Sequence, residues 1–149
     1  MRETEMGIII RNAEIKDSEL ITELSNQLGY EALNIDIQNR LKTILEHPDN
    51  CIYVATVNGK VIGWIHGFYS MRVESDFFVE IGGLVVSENS RKNGIGKKLV
   101  GRVIEWTEMK NCRKVRVRCN VIRTESHRFY EKMGFEINKE QKIFNKKLT

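Results

Sequence analysis

Proline is nearly absent from this 149-residue chain: Pro48 is the only one. No Gly/Ser-rich stretch, low-complexity segment or internal repeat appears either. With no linker to break it, the chain reads as one domain, residues 1–149, long enough to bury a core without covalent staples. Cysteine is sparse. Cys51, Cys112 and Cys119 are odd in number, and no two stand at Cys-x-x-Cys spacing. That argues against a disulfide framework and leaves three reduced, mostly buried small hydrophobes as the expectation. His47, His66 and His127 lie away from them in sequence, so no metal is expected. No apolar run approaches the roughly 18 residues of a membrane helix. Met1-Arg2-Glu3-Thr4-Glu5-Met6 has none of a signal peptide's apolar stretch. No membrane partner is expected, and the expected location is the cytoplasm.

What is present is a mildly basic, ordinarily apolar composition: 24 Lys and Arg against 20 Asp and Glu, and 41% hydrophobic residues. The bases gather in the C-terminal half, at Arg91, Lys92, Lys97, Lys98 and Arg102 and again from Lys110 to Arg118. Such a cluster is either a solvated face or the surround of an anion. No aromatic–basic RNA motif or helix-turn-helix pattern accompanies it, so no nucleic-acid partner is expected.

Periodicity predicts the elements. Ile8-Ile9-Ile10 reads as a first strand. Asp17 or Ser18 caps a helix bearing Leu20, Ile21, Leu24 and Leu28, stopped by Gly29. A second helix carries Ile35, Ile37, Leu41, Ile44 and Leu45 and ends before Pro48. Cys51 to Val57 and Val61 to Phe68 are strands joined at Asn58-Gly59, the strongest hairpin signal in the chain. Phe77 to Val86 is another strand. The helix after Gly94 turns Ile95, Leu99, Val103 and Trp106 to one side. Lys114 to Asn120 alternates basic and apolar, as a half-buried strand does. Thr124 to Met133 is a helix closed by Gly134, and Phe135 to Ile137 and Lys142 to Phe144 are predicted final strands. The order β-α-α-β-β-β-α-β-α-β-β is an α/β sheet of mixed direction, and its hairpin excludes a purely parallel, doubly wound sheet.

The segment Phe77 to Gly96 holds the most chemistry. A strand, a turn with Gly94-Ile95-Gly96 and a helix start together bring unpaired N–H donors and the positive end of a dipole to one place. That suits a phosphate or pyrophosphate, and Arg91 adds a full charge. No Gly-Lys-Ser/Thr follows, so this is not a Walker loop. Leu99 stands where the third glycine of a dinucleotide fingerprint would be. By itself the loop is equally a tight structural turn.

Arg91-x-x-Gly94-x-Gly96 resembles the coenzyme A pyrophosphate motif of the GNAT superfamily of N-acetyltransferases, and Leu84-Val85-Val86 resembles the strand beside it. Downstream, Asn120 and then Ser126-His127-Arg128-Phe129-Tyr130-Glu131-Lys132-Met133-Gly134-Phe135 are similar to that family's later cofactor segment. Both matches fall in the family's order, and the elements follow its fold along nearly the whole chain. The resemblance implies a mostly antiparallel sheet of six to seven strands flanked by about four helices. It implies acetyl-CoA as cosubstrate and direct transfer of an acetyl group, through a ternary complex, to a primary amine of a small molecule or a peptide. A non-catalytic coenzyme A-binding regulator of the same fold is the alternative. Dimers are common in the family, so a homodimer is expected.

The resemblance also distributes roles. Leu84, Val85 and Val86 would meet the pantetheine arm through their backbone. Arg91, Lys92, Asn93, Gly94, Ile95, Gly96 and Lys97 would hold the pyrophosphate, with Asn120, Tyr130 and Lys132 as further cofactor residues. Glu80 is the candidate base. It is the lone carboxylate in an apolar strand, where burial raises a carboxyl's pKa toward working pH, and its place fourteen residues before Gly94 resembles the family's base position. The other reading is a solvent-facing Glu paired to a lysine. Tyr130 is the candidate acid for the departing thiolate, or else a core tyrosine beside Phe129. Gln27, Tyr30, Glu74 and Asp76 are the candidates on the acceptor side, the two carboxylates for drawing in a cationic amine.

Overall fold

The computed structural model describes residues 7–119 and 121–149. Its residues group into two compact units, one through Val117 and one from Arg118 to Thr149.

The first unit is a five-stranded sheet with helices on both faces. The order is β1 (Ile8–Asn12), a 3-10 turn (Ile15–Asp17), α1 (Ser18–Gln27), α2 (Asn34–Leu45), β2 (Asn50–Val57), β3 (Lys60–Ser70), β4 (Phe78–Val86), a second 3-10 turn (Glu88–Asn93), α3 (Ile95–Met109) and β5 (Val115–Val117). The strands lie in sequence order across the sheet. β1 through β4 form an antiparallel meander, and β5 returns parallel to β4 after α3. The β2–β3 turn follows from its residues: Asn58 and Gly59 both take positive φ, at 51° and 79°. That is the pattern of a type I′ turn, whose twist suits a hairpin.

The two faces bury different partners. On one, α1 and α2 set Ile21, Leu24 and Leu41 against Ile52, Val54, Val61 and Val85, with Trp64 packed alongside. On the other, Ile95, Leu99, Val100 and Val103 of α3 are wholly buried. There a β-carbon on Gly63 or Gly67 would meet Leu99 or Val103 at 3.3 and 3.1 Å. Each such aliphatic side chain contributes about 2 kcal/mol of burial. At the β1–α1 joint, both Nη atoms of Arg11 donate to the Asp17 carboxylate at 2.8 Å, and the Glu14 N–H donates to it at 2.8 Å. Among the described residues no helix is long and apolar enough to cross a membrane.

The second unit carries α4 (Thr124–Lys132), closed by Gly134 at φ 92°. Two sequence expectations are corrected. The strand expected from Lys114 to Asn120 forms a ladder only over Val115–Val117, and Asn120 itself lies outside the described residues. The final strands expected at Phe135 to Ile137 and Lys142 to Phe144 are not formed, so the described sheet has five strands rather than six or seven. Ile137, Ile143 and Phe144 are largely exposed. Two three-residue segments with two apolar side chains each, separated by Asn138-Lys139-Glu140-Gln141, bury too little to hold an isolated hairpin.

Candidate active site

β4 positions the site, and its register shows how. Up to Ile81 it is paired on both sides: with β3 through Phe68↔Glu80 and Gly67↔Ile81, and with β5 through Glu80↔Arg116 and Ile81↔Val117. There the β5 ladder ends. Leu84, Val85 and Val86 pair with Ile65, Trp64 and Gly63 of β3 alone. Among the described residues the β5 ladder does not extend along their other edge.

A bulge separates the two halves. His66 opposes Gly83 while Gly67 opposes Ile81, so Gly82 is the extra residue. A β-carbon on Gly83 would stand 2.8 Å from Cη2 of Trp64, and one on Gly82 would stand 3.0 Å from Cε1 of Phe68 and 3.4 Å from Nδ1 of His66. Both glycines therefore lie under three rings of β3 on the α1 side of the sheet. No other residue type lets the rings come this close, and the bulge re-aims the strand at that point.

The glycine turn follows. Ser87 N–H donates to the Ile62 carbonyl at 2.8 Å, and the 3-10 turn Glu88–Asn93 leads to Gly94, left-handed at φ 73°. A β-carbon there would meet nothing within 4 Å, so the requirement at Gly94 is conformational. The first bond closing α3 runs from Lys98 N–H to the Gly94 carbonyl, 3.1 Å. The amides of Ile95, Gly96 and Lys97 precede it, and no side chain caps the helix. Buried Ile95 fixes this end against the sheet while Lys97 and Lys98 point outward. Arg91 Nε bonds the Val86 carbonyl at 3.4 Å. Free amides, the positive end of a helix dipole and exposed cations thus meet at one place, an arrangement suited to an anion.

Glu80 is half-buried, and its surroundings differ from the sequence expectation. The strand is apolar, but the face is not. Arg116 lies beside Glu80 in register, and the guanidinium of Arg116, that of Arg72 and the ammonium of Lys114 stand 4.2, 5.3 and 5.7 Å from the centre of the Phe78 ring. Phe78 itself is fully buried. Two cations come from β5 and the residue before it, and one from the β3–β4 turn. Only the fold brings them together. Glu74 and Asp76 are exposed on that turn, with Glu74 3.9 Å from Arg72. Asp76 and Arg72 line an open cleft of about 810 Å³ with Tyr69, Arg113 and Lys114. Gln27 and Tyr30 are exposed where α1 ends.

His66 was not a site candidate in the sequence. It is partly buried on the face that bears Glu80, and its Nε2 lies 2.8 Å from Oδ1 of Asn50. Burial holds its pKa below the ordinary 6.5. Its only sequence signal is polarity within an apolar strand.

In the second unit, Tyr130 is 8% exposed, its ring edge-on to Phe129 at 5.0 Å and to Phe135 at 5.4 Å. Phe135 N–H donates to the Tyr130 carbonyl and fixes the turn at Gly134. Burial first, then the neighbouring Cys119, raise the phenol's pKa above its ordinary 10. Lys132 is exposed at the end of α4.

A mixed sheet whose fourth strand runs on into an uncapped helix start defines the class as an α/β protein. A family model described as the acetyltransferase (GNAT) family matches residues 18–135, and the chain belongs to that family. N-acetylaspartate synthetase of Xenopus tropicalis is 28% identical over 105 residues, 70% of this chain and 38% of that protein. The chain thus spans about two fifths of that relative. Among solved structures, aminoglycoside N-acetyltransferase AAC(6')-Iy in complex with CoA superposes with TM-score 0.84 at 21% identity, covering 95% of both chains. Glucosamine-6-phosphate N-acetyltransferase from Arabidopsis thaliana superposes with TM-score 0.81 at 25% identity, covering 93% and 97%.

Proposed function

We propose that this chain is an acetyl-CoA-dependent N-acetyltransferase that moves the acetyl group directly to the primary amine of an acceptor bearing a carboxylate or phosphate. The observation that carries the reading is the β4 edge running from Leu84 to Val86 into the Gly94 turn and the free amides of Ile95, Gly96 and Lys97. A diphosphate with an amide-bearing arm matches both features in turn. Arg91, Lys92 and Asn93 extend the pyrophosphate grip, and Asn120, Tyr130 and Lys132 are the further cofactor residues. Residues 1–149 act as one domain in this reading, since the family match runs through both units.

Transfer joins the amine nitrogen to the thioester carbonyl carbon and breaks the C–S bond. The ammonium loses one proton to become the nucleophile and a second as the N–C bond forms, and the thiolate gains one. Glu80 draws the first proton away to solvent through water. Tyr130 supplies the thiolate's proton: its raised pKa keeps the phenol protonated at working pH, so the proton is present when the thiolate forms. A backbone N–H near Leu84 stabilises the oxyanion. The acidic character of the acceptor rests on the three cations about Phe78, which outnumber the carboxylates beside them, Glu80 in register with Arg116 and Glu74 3.9 Å from Arg72. Like charges gathered this closely favour an anion between them. Two relatives are named for anionic amines, aspartate and glucosamine 6-phosphate. Gln27, Tyr30, Glu74 and Asp76 border the acceptor, with Glu74 and Asp76 drawing the ammonium end of a zwitterion.

The test is a panel of amines assayed by the thiol released from acetyl-CoA. Acidic amino acids and amino-sugar phosphates are expected to turn over faster than polyamines or aminoglycosides. Faster turnover of polycations would remove the acidic-acceptor reading, and no thiol release from any amine would remove the enzyme reading.

A further inference from the structure

His66 is a half-buried titratable side chain beside the β4 bulge, and the mechanism above leaves it unused. It lies on β3 directly over the bulge of β4, with Nδ1 3.4 Å from the position a β-carbon on Gly82 would occupy. Its other nitrogen is committed. Asn50 of β2 presents Oδ1 to Nε2 at 2.8 Å, so Nε2 carries the hydrogen and Nδ1 keeps its lone pair. No hydrogen bond among the described residues reaches Nδ1. The Phe68 ring, 5.6 Å away and tilted 42°, flanks the imidazole on the side toward Glu80. Gly82 and Gly83 have no side chains to cover the ring, so Nδ1 faces the open bulge two residues before Leu84.

We propose that His66, held by Asn50 with Nδ1 as the acceptor nitrogen, takes the amine's second proton at the Gly82 bulge, the one shed as the nitrogen closes on the thioester carbon, after Glu80 has drawn the first from the ammonium. The proposal rests on the acetyltransferase reading and deepens it. As the amine lone pair closes on the thioester carbon, the N–H proton passes to Nδ1 and the ring becomes an imidazolium donating from both nitrogens. The C–S electron pair leaves with sulfur, and the imidazolium then gives its proton to solvent. Glu80, opposite Phe68 on the same face, sits one position along and balances the transient charge.

The charge environment suits a neutral ring before reaction. Asn50, on β2, is uncharged. From β4, β5 and the segments next to them, the charged groups of that face are Glu80, Arg116, Lys114 and Arg72. α1, which packs on β3 and β4, turns Ile21, Thr22, Leu24 and Ser25 inward while Glu19 and Glu23 are exposed, and α2 exposes Asp36, Arg40 and Lys42.

His66→Gln keeps a donor toward Asn50 and removes the acceptor at Nδ1. The variant is expected to retain the acetyl-CoA-induced rise in melting temperature while kcat falls about 10²-fold, the size of one lost proton transfer. The ionisation of His66 is expected to drop out of the kcat–pH profile in His66→Gln and to remain in Glu80→Gln. A His66→Gln enzyme with wild-type kcat, or with an unchanged acid limb, overturns the proposal and leaves the function standing. Wild-type protein that neither binds acetyl-CoA nor releases thiol overturns both. A second measurement needs no variant. Imidazole ¹⁵N shifts of the wild-type protein at pH 7.5 are expected to show Nδ1 unprotonated and Nε2 protonated, and in Asn50→Ala to become a tautomer mixture. A protonated Nδ1 in the wild type overturns the assignment.

Discussion

Single residues in this molecule act through what stands above or beside them. Gly83 is the sharpest case. Its missing β-carbon would lie 2.8 Å from Trp64 Cη2 and 3.0 Å from Cζ3, and an indole packed on the core cannot step aside like the end of a flexible chain. Gly83→Ala is expected to cost about 1–3 kcal/mol, the usual penalty for overpacking, read as a lower urea midpoint at unchanged slope. An unshifted midpoint would mean that Trp64 repacks freely. The two residues proposed to move protons have separate tests. Glu80→Gln is expected to lose rate at neutral pH and to recover part of it at high pH, where hydroxide replaces the base; equal loss at every pH would assign Glu80 a structural role. Tyr130→Phe is expected to lower turnover with nearly unchanged affinity for acetyl-CoA, measured by titration calorimetry.

Among the elements, the junction from β4 to α3 determines the most. Its glycine pattern is readable in sequence because it serves a backbone need: φ of 73° at Gly94 is strained for other residues, and the spacing to Gly96 matches a helix start. Gly94→Asp is expected to abolish the rise in melting temperature that acetyl-CoA gives the wild type, since the variant places a strained backbone and a negative charge at the anion site. An undiminished rise would move the cofactor elsewhere. Helices α1 to α4 and the hairpin at Asn58-Gly59 were legible for the same local reason. The last strands were not. Phe135 to Ile137 and Lys142 to Phe144 have strand composition, but a strand exists only through a partner, and nothing in three residues of pattern supplies one.

For the molecule as a whole, the stability depends on acid and on ligand. Burial opposes ionisation of Asp17, but the paired bonds from Arg11, the Glu14 N–H and the charges of Arg11 and Lys16 outweigh it, so the folded carboxyl ionises below its ordinary 3.8. That contribution is full above the ordinary value and is lost as pH falls through the lower folded one. His66 acts in a higher window. Its folded pKa lies below 6.5, so the unfolded chain binds the proton first, and stability falls as pH drops from about 6.5 toward the folded value. Melting temperature followed from pH 8 to pH 3 is expected to decline in these two stages, and His66→Gln to flatten the upper one. Acetyl-CoA at 100 times its dissociation constant is expected to add about 2.7 kcal/mol.

The sequence alone determined what depends on neighbours along the chain: helix periods, the type I′ turn, the glycine at a positive φ, and the order of motifs from which the family can be read. Tertiary structure decided what depends on neighbours across the sheet. The bulge at Gly82, the three cations about Phe78 and the Asn50–His66 pair join residues sixteen or more positions apart or hinge on strand register. A shift of one residue would turn Glu80 and His66 to the other face, and register is fixed only when β2, β3 and β4 close on one another.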